Sequence, residues 1–571
     1  MKQIIPAAIA IMVGSAVAVE PNAVNQQTIS NLYAAVAADL ENPVRPGGVD
    51  GRPFWNVNGR GMRYIYPPAF DFAPVPGAAK YRFTVLDDVL NEHVFDADSQ
   101  MADLSPVWRD VPVGFVRVQV DGLTADGRVL GTGGVRRFWR CAPYEPGTYK
   151  GRPWSYMECV RRYYPVLFNH QNTQHFLKHG TPDGKTDLLN IYPSKMNAAL
   201  IRGMLRYSRM SKEHGVDALK IAKRVADFMI SISQPADTPL AHFPPTYRAM
   251  AGQKTNFANQ RYMGQNMLVY PAVVGLAYLE LHAACGEPRY LDAALGIART
   301  YKRLQLPEGT WYLKMWERDG SPVVGDAGKR PVRLTPIRVC NYMEKLSAAT
   351  DDAQWREVAD RAFAYIEKGP LMTWDWSAQF EDTPPSEGYR NPASSDAMSV
   401  ALYLLRRYPQ DAARRGQARE LMRWVEDQFV YWRKPCRADG RSVLCGPDRG
   451  FNPWERPGSQ GRDFAEWVNE PGVAEKYTWS VMENSLTASM MHLYAEFYKL
   501  EGDELCLAKA RTLGDSIVRV QQIGGDGEIA SEWFASYLIG SRCPHIWLNC
   551  SISAVTHLED VAAIIESKTA P

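Results

Sequence analysis

A mainly α protein built from repeated helical pairs, preceded by a small β-sandwich domain, is the fold class this sequence predicts. Three observations predict it. Between residues 51 and 143 short runs alternate apolar and polar residues, whereas beyond about residue 190 apolar residues recur at spacings of three and four up to the end. The connections between the helical stretches alternate between short and long. The chain has 571 residues, 46% hydrophobic and 22% charged, which is enough for a large core and two domains. Its 65 basic and 63 acidic residues nearly cancel, so the composition lacks the electrostatic footprint of a nucleic-acid or anionic-membrane binder.

The first residues read as a secretory signal peptide, 1–18. Lys2 precedes an apolar run from Ile4 that ends in Ala16-Val17-Ala18, an A-x-A cleavage pattern. A periplasmic or secreted protein is expected, with no membrane association after cleavage. Nine cysteines are too few for a disulfide scaffold. Cys436 and Cys445 flank an Asp-Gly turn signal and are placed to meet across a hairpin. No C-x-x-C pair and no H-E-x-x-H motif occurs, so neither a metal nor another cofactor is expected.

Over 51–143 the runs YIYPPAFDF, YRFTVLD, GFVRVQVDGL, GRVLG and VRRFW are separated by turn chemistry in PVPGA, DADSQ, DVPVG and TADG. The segment GFVRVQVDGLTADGRVLG resembles a fibronectin type III or immunoglobulin-like hairpin, with Phe115, Val118 and Val120 as expected core positions. A polar crossover, YMECVRRYYPVLFNHQNTQHFLKHG, leads into the helices. Six first helices are expected to start near Tyr192, Tyr270, Thr335, Asn391, Tyr477 and Trp547. At four of these starts Pro follows directly, as Pro193, Pro271, Pro336 and Pro392, where a first-turn proline costs no hydrogen bond.

Short connections such as SKEHG, ACGEPRY and TDDAQ lie inside the pairs. Long ones, about 234–269, 306–334, 369–390, 432–476 and 523–546, lie between them. Helices in antiparallel pairs turn at alternate ends, so all long loops fall on one face. This layout, with GTWYLK after an outer helix, FED before an inner one and EKYTW at the fifth, resembles the (α/α)6 toroid of six-hairpin glycoside hydrolases and several polysaccharide lyases. The resemblance covers about residues 150–565. It implies a catalytic domain whose substrate, a polysaccharide or oligosaccharide, lies in a cleft at the inner-helix N-termini.

The chemistry expected there is acid-base work on a glycosidic bond, most simply hydrolysis by two carboxylates. Candidates are Glu381 and Asp382 in QFED, and Glu475 with Tyr477 at the mouth of the fifth inner helix. Asp396, in SSD at a helix start, reads mainly as capping chemistry. The alternative is β-elimination on a uronate, with His170 from the cluster Asn169–His175 and Tyr477 as proton-transfer groups and Arg261 neutralising the carboxylate. Lys195, Gln265 and Asn549 sit at or near other inner-helix starts as substrate-binding candidates. Trp311, Trp316, Trp374, Trp376 and Trp479 are candidate stacking platforms. A third possibility is a glycan-binding protein without activity.

Overall fold

The computed structural model describes residues 26–44, 63–148, 151–184, 188–248, 262–325, 330–381, 392–433, 471–476, 479–524, 527–529 and 547–566. The leader 1–18, Cys436 and Cys445, and the site candidates Asp382, Tyr477 and Arg261 lie outside them.

After a first helix, α1 (Gln26–Glu41), come five strands, β1 (Arg63–Tyr64), β2 (Lys80–Leu86), β3 (Glu92–Ala97), β4 (Gly114–Leu123) and β5 (Val129–Arg140), with the one-turn helix α2 (Ser105–Trp108) between β3 and β4. They form one five-stranded sheet in the order β1-β5-β4-β2-β3. The expected hairpin is present, with Val118 opposite Arg136 and Phe115 opposite Trp139. Alternation along β4 buries Val116, Val118 and Val120 on one face against Phe70, Phe83, Trp108 and Phe138. Phe115 has the opposite parity. It meets Trp139 edge-on at 4.8 Å and packs against the helical core instead. A second sheet packed face to face on this one, which a sandwich requires, is not found among the described residues. Segment 64–72 and α2 cover the buried face.

The helices follow as α3 (Tyr156–Asn169), α4 (Gln171–His179), α5 (Leu188–Ile191), α6 (Pro193–Met210), α7 (Gly215–Ser231), α8 (Tyr270–Cys285), α9 (Pro288–Leu304), α10 (Ile337–Thr350), α11 (Ala353–Lys368), α12 (Pro370–Thr373), α13 (Ser395–Arg407), α14 (Ala412–Phe429), α15 (Asn484–Glu501), α16 (Glu504–Gly524) and α17 (Leu548–Glu566). Antiparallel partners are α6 with α7, α8 with α9, α10 with α11, α13 with α14, and α15 with α16. The first members also touch in succession, α6 to α8, α8 to α10, α10 to α13, α13 to α15, α15 to α17, and α17 back to α6. The partner that covers α17 is α3, from the other end of the helical region. One apolar core, from Val160 through Ala277 and Val339 to Val555, runs through all of them.

Two short ladders decorate the long-loop end. β6 (Gln265–Met267) pairs with β7 (Lys314–Trp316), and β9 (Gly472–Lys476) joins β8 (Val430–Tyr431) to β10 (Trp479–Met482). The fifth inner helix therefore starts at Asn484, not near Tyr477: the β-formers of VAEK and WSVM make strands before Glu483 enters the helix.

The sheet is bolted to the helices by buried polar groups. Asp427 accepts the backbone N–H groups of Ile65 and Tyr66 at 2.6 and 2.9 Å, and Arg63 donates to the Val430 carbonyl at 2.6 Å while its guanidinium lies 3.6 Å over the Tyr431 ring.

Candidate active site

Glu381 is the centre of the long-loop face. Its residue is 5% exposed, and it comes from the connection before α13. Its carboxylate reaches the starts of two other inner helices. Lys195, in the first turn of α6, donates to Oε1 at 2.7 Å, and the hydroxyl of Tyr270, which opens α8, donates to Oε2 at 2.5 Å. The backbone carbonyl of Glu381 accepts from the Tyr247 hydroxyl and, at 2.9 Å, from Lys314 Nζ on β7. Three loops and two inner helices thus converge on one residue.

Burial alone would push the Glu381 carboxyl up. The Lys195 charge and the hydrogen bonds from Lys195 and Tyr270 outweigh it and bring the pKa to about 2. Lys195 is raised in turn, because Glu381 overcomes the burial that disfavours its charge. Glu381 is therefore a fixed anion at any physiological pH. It cannot be a proton donor.

A different carboxyl has the opposite property. Glu317 follows β7 directly, and burial pushes it up to about 7, with only a weak counter-pull from Asn266, whose Nδ2 lies 3.4 Å from Oε1. Asn266 is itself fully buried and donates to the Pro244 carbonyl at 2.9 Å. Asp396, in the first turn of α13, is likewise pushed by burial to about 6 against the Arg338 charge. Its place in the first turn agrees with the helix-start chemistry expected of it, although the N-cap residue itself, Ser394, makes no side-chain cap bond. Glu475, on β9, lies 3.8 Å from Lys476 Nζ, and its backbone carbonyl accepts from Ser394 N–H at the start of α13. It contributes to the field on Lys195 and Cys550.

The aromatic wall is close. Lys195 Nζ lies 4.3 Å over the Trp547 ring, and Lys314 Nζ lies 3.8 Å over Tyr262. Tyr192 meets both Tyr247 and Trp547, at 6.1 and 5.9 Å between ring centroids. Gln265 is buried on β6 and Asn549 lies in the first turn of α17.

Other expected residues fall elsewhere. Trp311 is fully buried and donates its indole N–H to the Tyr301 carbonyl at 2.8 Å; Trp374 and Trp376 pack on each other and on Trp424 in the core. These three rings leave no face for a sugar. Trp316 is half-buried. Of Trp479 the backbone lies in β10. His170 caps α4, its Nδ1 accepting from Asn172 N–H at 3.2 Å, and burial lowers its pKa to about 4. Its neighbour Phe168 stacks on His214 in the short α6–α7 connection, so His170 is not among the groups gathered around Glu381. The residues missed from sequence are Tyr270, Lys314, Tyr247 and Glu317. Each belongs to a segment flanking a long-loop ladder or an inner-helix start.

No family model matches this chain, and no curated protein matches it. Its architecture is similar to those of carbohydrate-active enzymes among solved structures. The cellobiose 2-epimerase from Spirochaeta thermophila is 12% identical over 72% of this chain and 98% of its own, with a TM-score of 0.47. A family 76 glycoside hydrolase from a bovine Bacteroides thetaiotaomicron strain is 10% identical over 85% and 93%, with a TM-score of 0.42. An unsaturated glucuronyl hydrolase specific for heparin is 10% identical over 71% and 98%, with a TM-score of 0.39. At these scores nothing about this chain's chemistry follows from theirs; it is read from its own side chains. No described helix is long and apolar enough to cross a membrane.

Proposed function

We propose that this chain is a secreted glycoside hydrolase whose helical pairs close into an (α/α)6 toroid. The observation that carries the reading is the separation of two carboxyl groups on one face: Glu381 is held ionised near pKa 2, while Glu317 keeps its proton up to about 7. Carboxyls driven apart in this way divide the labour of glycosidic cleavage. Glu317 gives its proton to the glycosidic oxygen as the C–O bond breaks. Glu381, oriented by Lys195 and Tyr270, stays an anion beside the positive charge that develops at the anomeric carbon, and a water molecule then adds to that carbon and gives its proton to the Glu317 carboxylate, restoring the acid. Glu475 and Asp396 add acidic groups to the same mouth, and Asp382 and Tyr477 adjoin it in sequence. Lys195, Gln265, Asn549 and Arg261 belong to the binding surface in this reading.

The test is reducing-end release from a panel of polysaccharides and oligosaccharides. Wild type should release reducing ends without the ultraviolet absorbance of an unsaturated product. Glu381→Gln and Glu317→Gln should each lose at least a hundredfold in kcat. Full activity in both variants would overturn the assignment, and ultraviolet-absorbing products would mean elimination instead.

A further inference from the structure

We propose that the cleft takes neutral sugars, one unit on each side of Glu381, recognised through hydroxyl groups that donate to Gln265 and Asn549. The inference rests on the reading of this face as a carbohydrate site and adds the substrate class.

Gln265 Oε1 and Asn549 Oδ1 are buried and have no hydrogen-bond partner. A buried acceptor without a donor is costly, and native proteins rarely keep one without a use for it. Gln265 stands across a ladder from an aromatic residue, and Asn549 follows one closely in sequence. Gln265 pairs with the half-buried Trp316 across the β6–β7 ladder. Asn549 lies two residues after Trp547, whose backbone has φ 52°, a left-handed conformation that a bulky residue adopts only when its surroundings impose it. An indole next to a hydrogen-bonding group is what a sugar ring asks for, with its C–H face on the ring and its hydroxyls at the edge.

The two pairs flank Glu381. On one side Lys195 lies over Trp547 and holds the Glu381 carboxylate; on the other Lys314, opposite Met267 in the ladder that carries Gln265, holds the Glu381 carbonyl. A sugar at each half-site brings the bond between them to Glu381. The charge class follows from the donor and acceptor inventory. An amide oxygen only accepts, so it selects O–H groups and offers nothing to a carboxylate or a sulfate. Lys195 and Lys314 are bonded to Glu381, and Lys476 lies 3.8 Å from the Glu475 carboxylate. Arg318, whose guanidinium lies 4.7 Å over the Trp316 ring, is paired with Asp319 at 3.1 Å, so these four cations already serve acidic and carbonyl groups of the protein itself.

The experiment is binding of the full chain to an array of neutral manno-, gluco-, galacto- and xylo-oligosaccharides beside oligouronides of matched length, repeated with Gln265→Met and Asn549→Leu. Neutral oligosaccharides should bind, and each variant should weaken them about tenfold, the equivalent of one net hydrogen bond. The melting temperature should not fall in Gln265→Met, where only an unpartnered acceptor oxygen is at stake, and should fall only slightly in Asn549→Leu, which also loses the weak bond from Asn549 Nδ2 to Cys550 Sγ at 3.3 Å. Tighter binding of oligouronides, neutral binding unchanged in both variants, or no binding of either class would each overturn the inference. Neutral binding without cleavage would instead remove the hydrolase reading and leave this one standing. Cleavage of uronides alone would do the reverse.

Discussion

At the scale of the residue, Glu381 and Lys195 form a buried pair, and such pairs are asymmetric: keeping both costs little, but removing one strands the other. Glu381→Gln leaves the Lys195 ammonium with its carboxylate partner gone, for which about 3–5 kcal/mol of lost stability is expected. The double variant Glu381→Leu with Lys195→Met should recover most of that loss, and urea unfolding of the three proteins checks it. If the single variant is as stable as wild type, the pair is not buried as described. Glu381 has a depressed folded pKa, so its contribution is present above the unfolded value near 4.3 and fades as the pH falls toward 2. Glu317 has the opposite sign and a different readout. Its proton is present below pH 7 and lost above it, so kcat should fall as pH rises through about 7. In Glu317→Gln that alkaline limb should vanish along with most of the rate. Glu381 and Lys195 were legible in the sequence because FED and SK stand at the expected starts of inner helices. Glu317 was not, although it falls in the long connection 306–334. What makes it an acid is burial beside Asn266, 51 positions away, and no local pattern records such a contact.

At the scale of the element, α15 and α17 meet through two histidines in mid-helix. His492 Nε2 lies 2.7 Å from Arg406 Nη2 and 3.4 Å from the Glu496 carboxylate. His492 Nδ1 lies 2.7 Å from His557 Nδ1, and His557 Nε2 faces the Ser489 hydroxyl at 3.3 Å. Burial, and then His492 and the charges of Arg406, Arg202 and Arg206, hold His557 well below the ordinary histidine range, while Glu496 and Asp560 balance the arginines nearby. A histidine neutral when folded and basic when unfolded favours unfolding as pH falls below about 6.5. Stability should therefore decline from pH 7 toward pH 5, by up to about 1.4 kcal/mol per pH unit. His557→Gln should be less stable at pH 7.5 but show a shallower decline, and equal slopes in both proteins would refute the assignment. None of this was visible in the sequence, where the two histidines are single residues on apolar helices. Helix existence and order were visible, because the three-and-four spacing and first-turn prolines are local. The start at Asn484 was not, since strand-forming residues precede it and only pairing with β9 decides between strand and helix.

At the scale of the whole molecule, the last inner helix has its outer partner at the other end of the helical region. The spacing of apolar residues foretold six first helices but not that α3 would cover the sixth, because the chain-reversing rule for neighbours says nothing about ends 410 positions apart. What joins them is specific. Tyr156 N–H donates to Glu566 Oε1 at 2.9 Å, Arg152 bridges Asp515 and Glu566 at 3.0 and 3.2 Å, and the Tyr156 hydroxyl donates to Asp515 at 2.7 Å. Apolar packing adds to this at Gly203, where a Cβ would come within 3.1 Å of Ile552 and 3.3 Å of Leu167, so α6, α17 and α3 meet with no space to spare. A chain ending at residue 546 keeps every other helix yet exposes the faces of α3, α6 and α15 that α17 covers. Loss of one cooperative transition is expected, read as a broad, low-enthalpy calorimetric melt with dye-accessible apolar surface. Glu566→Gln, by contrast, leaves the packing in place and weakens only charge-assisted bonds, so it should melt sharply with a loss of about 1.5–3 kcal/mol. A sharp, wild-type melt from the shortened chain would show that the helices hold together without α17, and that the junction of the two ends is dispensable.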